Sequence, residues 1–193
     1  MYDPRLFYDL FLQEETTPPI NNETKLNQDF RKAWVHLVFW IRMYLLSVTA
    51  DMEDKAIVAE RIRKIPQEMI DTIKSDHPGG VTEPLNQPLS DFVNDTMNLI
   101  DAVKEGDVEK ADRMEVKINL DIAQIALALN NLDSAYANAD VQKMLKDYLV
   151  LIKREIEARM TADYAKDIKT VDELEAAALR IADYLSSGIV TKT

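Results

Sequence analysis

Apolar positions crowd one stretch of the chain more than any other. From Ala33 to Val48, AWVHLVFWIRMYLLSV, only His36, Arg42 and Ser47 interrupt the apolar run. Trp34, Leu37, Val38, Ile41, Leu45 and Val48 recur at helical spacing, which makes one face apolar. Val35, Phe39, Trp40, Met43 and Leu46 extend that character to the other flank. A helix apolar nearly all round is expected to be enclosed by other elements, so 26–48 is read as the central core helix. It is no membrane span: a span needs about 20 apolar residues, and this run is shorter with an arginine in its middle.

The same period recurs along the rest of the chain. Asp3-Pro4 can start a short N-terminal helix whose stripe is Leu6, Phe7, Leu10 and Phe11. It is too short to stand alone, so 1–20 is read as a docking segment, for its own bundle or for a second copy. Thr49 or Asp51 is expected to cap the next helix, which Pro66 ends or kinks. Residues 76–88, with three prolines and a glycine pair, read as a crossover loop. A helix then runs from about Leu89 to Gly106, and Gly106-Asp107 makes a tight connection to the next, which runs to about Leu129. Asn138 or Asp140 caps a fifth long helix, and Thr170 with Glu173 forms a capping box that opens the last. About six helices with short connections and no credible strand predict an all-α, antiparallel multi-helix bundle, one domain over 1–193.

Composition narrows the function by exclusion. The formal charge of −11 argues against nucleic acid and against anionic lipid surfaces. There is no cysteine, so no disulfide framework and no thiol chemistry, which fits a cytosolic protein. Acids near the N-terminus stand where a secretion signal would carry basic residues. With only His36 and His77, a His-rich metal site is impossible, and His77 reads as a solvated loop residue. No Glu-x-x-His pair, nucleophile elbow or phosphate-cradling glycine loop occurs, so no catalytic residue, metal ligand or cofactor is assigned.

The polar interruptions of the core helix are the candidates for a site. His36 and Arg42 either lie at a helix edge, reaching water or a carboxylate, or line a pocket inside the bundle. In the second case Arg42 clamps a small anion and pairs with Asp121 or Glu155 when empty. Ligand-binding candidates are therefore His36, Arg42, Asp121 and Glu155. Lys153, Arg154, Glu155, Glu157 and Arg159 together read otherwise as a solvated face with ion pairs one helical turn apart. Trp34, Trp40 and Tyr148 read as core or interface aromatics.

Several strings occur in an order that resembles a known family. They are Val38-Phe39-Trp40 with Arg42-Met43, Arg63-Lys64-Ile65-Pro66-Gln67, Lys104-Glu105-Gly106-Asp107 and Asn119-Leu120-Asp121. Glu155, Arg159, Asp163, Tyr164, Asp167 and Ile168 follow, then Ala182-Asp183-Tyr184-Leu185-Ser186 and Gly188-Ile189. Over roughly residues 30–190 the chain resembles a group of small all-helical bacterial proteins of unknown biochemical role. Some of them carry the label acetylglutamate synthase. The resemblance implies a histidine on the first, third and fifth long helices, with threonines near two of them. Here those positions hold Leu37, Phe92 and Tyr148, with Ile41 and Ile152 in place of the threonines. Any metal or ligand role of the histidines therefore does not carry over, and the shared Arg42, Glu155 and Asp183 receive no role from it. Acetyl transfer from coenzyme A would need a glycine-containing pyrophosphate loop beside a strand, and the sequence supplies neither.

The resulting expectation is a cytosolic, non-catalytic bundle that acts through protein–protein contacts or self-association, as a homodimer or with a protein partner. The alternative is a binding protein for a small anion or metal near Arg42.

Overall fold

A computed structural model describes residues 22–76 and 82–190. Among them are seven α-helices and no strand: α1 (Asn22–Thr49), α2 (Lys55–Ile62), α3 (Ile65–Asp76), α4 (Glu83–Glu105), α5 (Val108–Leu132), α6 (Asn138–Met160) and α7 (Tyr164–Val190). The chain is an all-α multi-helix bundle, as the period predicted. The proposed N-terminal helix with Leu6 to Phe11, and His77, lie outside the described residues. No helix among the described residues is long and apolar enough to cross a membrane.

α1 is the hub. It packs against α7 along most of its length and also touches α2, α3, α4 and α6. Phe30, Trp34, Leu37, Ile41, Leu45 and Val48 are all buried on it. The five positions where the resembling family has polar groups, Leu37, Ile41, Phe92, Tyr148 and Ile152, all lie in the one hydrophobic core. Trp34 meets Tyr148 edge-on, ring centres 6.0 Å apart.

Enclosure of α1 is nevertheless incomplete, which corrects the expectation. Phe39 is 52% exposed, and Val35, Trp40, Met43 and Leu46 are only partly covered. The neighbours flank α1 on either side of this line and leave it open.

Several helix boundaries also differ from expectation. The crossover at 76–88 is shorter, because α4 begins at Glu83 with proline in its first turn. A proline there forfeits only a donor that has no intrahelical partner. Pro88 lies deeper inside the helix and removes one backbone bond, while Leu85 and Leu89 beside it are buried. α7 begins at Tyr164: Asp163 Oδ1 accepts the Lys166 N–H at 3.1 Å, so the cap lies about two turns before the expected Thr170. Thr170 sits inside the helix and donates to the Lys166 carbonyl at 2.7 Å. Neither Thr49 nor Asp51 caps α2, whose start is Asp54, and Thr49 Oγ1 bonds back to Leu45 and Leu46 carbonyls. α6 starts after Ala137, whose N–H is taken by the Tyr184 hydroxyl at 3.1 Å.

The α4–α5 corner matches its sequence signal. Gly106 is left-handed at φ 71°, and Asp107 Oδ1 accepts from the Lys110 N–H at 2.9 Å. No heavy atom would crowd a Cβ on Gly106, so only backbone strain opposes a side chain. Gly106→Ala should cost about 1 kcal/mol and Gly106→Asn less, read from urea denaturation midpoints.

Candidate functional site

Arg42 lies about three-quarters of the way along α1, on the side that faces α6 and α7. Its Nη1 donates to Glu155 Oε1 at 2.7 Å and to Asp167 Oδ1 at 2.8 Å, and Nη2 donates to Asp167 Oδ2 at 3.1 Å. Glu155 and Asp167 are fully buried, while 17% of the Arg42 side chain is exposed. Arg159 reaches Asp167 Oδ2 at 3.4 Å and stacks on the Tyr164 ring at 5.0 Å. Three helices thus converge on one guanidinium, and both acids of the cluster come from different helices.

Charge is unevenly met there. Asp167 takes two bonds from Arg42 and a third from Arg159. Glu155 has one bond from an arginine it must share, and burial pushes its carboxyl up to about 7 against the pull of Arg42. The guanidinium is held in its charged form, chiefly by the Asp167 hydrogen bonds. An incoming anion would have to displace a carboxylate already in place, so the cluster is a clamp between helices rather than an open receptor.

The four sequence candidates separate into three places. Arg42 and Glu155 meet. Asp121 does not join them: it lies on α5 facing α4, 7% exposed, and its Oδ2 is buried with no hydrogen-bond partner. Burial first, then repulsion from Asp95 and Asp91, pushes its carboxyl up to about 7, with Lys117 opposing. His36 is on another side of α1, in a polar cleft of about 310 Å³ with Asp29, Lys32, Arg61, Glu68 and Thr72. Arg61 lies over Trp40, 5.2 Å from its ring centre. It donates to Glu68 Oε2 at 3.3 Å, whereas Nη1, 3.0 Å from Oε1, is too poorly aligned to bond.

The expected solvated face of α6 is corrected as well. Glu155 points inward, Lys153 pairs across to Glu115 on α5 at 2.6 Å, and Arg154 pairs with Glu173 on α7. These ion pairs join helices instead of running along one. Asp167 was the residue missed by the sequence candidates. It precedes the inward Thr170, Leu174 and Ala178 at helical spacing, a signal hidden by the expectation that the helix began at Thr170.

A second α1–α7 tie lies toward the other end. Arg31 chelates Asp183 at 2.7 and 2.8 Å, and Asn27 bridges Asp183 and Ser186 at 2.8 Å each. The Arg31 hydrogen bonds hold the Asp183 carboxyl below the usual carboxylate range. Asp183 is thus part of a helix-to-helix fastening. Deeper between the helices, Phe30, Trp34, Met69, Leu85, Leu129 and Leu185 help line an apolar cavity of about 20 Å³. Among the described residues no group of three or more His, Asp or Glu side chains could hold a metal ion.

Searches against protein-family models, curated proteins and solved structures find no match for the chain.

Asp121 and Glu155 fix the direction of the pH dependence. Both carry folded values of about 7, above the ordinary carboxyl values of 3.8 and 4.5. Between those limits the folded chain binds more protons than the unfolded chain, so stability falls as pH rises from about 4 to 7. The urea midpoint should be lower at pH 8 than at pH 5, and Asp121→Asn should narrow that difference. An unchanged difference in the variant would contradict the assignment to Asp121.

Proposed function

We propose that this is a non-catalytic bacterial bundle protein of the cytosol that works by protein–protein contact, self-association included. The observation that carries the proposal is the open apolar line on α1. Phe39 is 52% exposed and T-stacked on Trp40 at 5.1 Å, between partly exposed Val35, Met43 and Leu46. Contiguous apolar side chains on a surface otherwise rich in charge mark a contact face. The interior supports the same reading: Arg42, the strongest candidate for holding a ligand, is engaged by Glu155 and Asp167. Membership of the resembling helical family is part of this proposal, with the family's histidine positions filled by core side chains.

Native mass spectrometry with elemental analysis of the purified protein tests it. The expected protein carries no stoichiometric ion or small molecule, and its mass corresponds to more than one chain or to a complex with another protein. A stoichiometric small adduct on a single chain would overturn the proposal in favour of an internal binding site.

A further inference from the structure

The outward face of α5 carries a second apolar line. Val116, Leu120 and Leu127 are 63%, 57% and 53% exposed, and half-buried Ala123 completes the row. Their spacing, four, three and four residues, is that of the alternating seam of a two-stranded coiled coil. At about 100° per residue the row lies opposite Ile118 and Ile125, the buried side of the same helix. An apolar row at this spacing, centred on the solvent side, matches the docking seam of another helix.

Charge beside the row points to the occupant. Asp112 and Asn119 border it on the side toward α6, and Lys117 and Gln124 on the side toward α4, all exposed. In a parallel helix pair the residue before one seam position meets the residue five later on the partner; the seam position before Val116 is Arg113, which Glu109 of its own chain holds at 3.8 Å. Asp112 of one chain then meets Lys117 of the other, Asn119 meets Gln124, and two-fold symmetry makes each pairing twice. An antiparallel pair would instead set each border against its own kind. Neither Asp112 nor Lys117 makes a close ion pair among the described residues of its own chain, although Lys117 offsets part of the Asp121 charge one turn away.

We propose that two copies of this chain associate through α5 in parallel, with Val116, Leu120, Ala123 and Leu127 as the seam and Asp112–Lys117 as reciprocal pairs. This rests on the contact reading above and names the partner, but it uses a different face from the α1 line.

The test is charge exchange at two exposed positions, with the urea midpoint of each variant checked first because Lys117 also offsets the Asp121 charge. Asp112→Lys and Lys117→Asp should each weaken the homodimer about tenfold, since two pairs change from attraction to repulsion. An equimolar mixture of the two variants should form a heterodimer by native mass spectrometry, because every pair is again opposite in sign. Leu127→Cys, in a chain with no other cysteine, should oxidise to a covalent dimer, since only the parallel pairing sets 127 beside 127. A wild-type protein that is monomeric at all concentrations overturns the second copy and leaves the α1 contact face standing. A dimer insensitive to both charge variants but dissociated by Phe39→Glu overturns the α5 interface and assigns the dimer to α1.

Discussion

Arg42 stands within the most apolar run of the chain, on α1, and its charge has to be met inside the bundle. A guanidinium taken from water needs opposite charge and full hydrogen bonding, or it costs several kcal/mol. α6 supplies Glu155 and α7 supplies Asp167, both within 3.1 Å. This requirement sets the register of three helices at once, because sliding any of them by a turn would leave a buried charge unpaired. The Arg31–Asp183 chelate fastens the same α1–α7 pair more than two turns away, so the long contact between these helices is pinned at two points.

The Arg42 charge is answered by Glu155 and Asp167, whereas the buried Asp121 carboxyl keeps an oxygen without a hydrogen-bond partner. Large apolar side chains emerge on α1 and α5, two faces of one bundle. Core and surface are thus differently organised. Leu37, Ile41, Phe92, Tyr148 and Ile152 are packed core, while Phe39, Val116, Leu120 and Leu127 are large apolar side chains on the surface.

Much of the architecture was legible because helical period is a repeated signal that survives local ambiguity. The Gly106-Asp107 corner was legible because left-handed backbone and an immediate cap each demand particular residues. Starts signalled by one side chain were not. Thr170 followed by Glu173 has the right spacing for a capping box, yet Asp163 caps first and the helix runs through. Glu155 and its charged neighbours have the composition of a solvated face, but position 155 is three residues after buried Ile152 and therefore turns inward. The pairing of Arg42 with Glu155 could be named from sequence; Asp167 could not, because the helix was expected to begin three residues after it. How far neighbours close around α1 depends on helix crossing, which no local pattern encodes, and so the open line at Phe39 was not foreseen.

The Arg42 charge holds α1, α6 and α7 together through Glu155 and Asp167. Urea denaturation of Arg42→Met against the unaltered protein at pH 7 tests it most directly. Methionine keeps much of the side-chain volume but leaves buried Glu155 without a partner and Asp167 with Arg159 alone, so a loss of roughly 3–5 kcal/mol is expected. A variant as stable as the original, or more stable, would contradict the claim and return Arg42 to the role of a ligand-binding group.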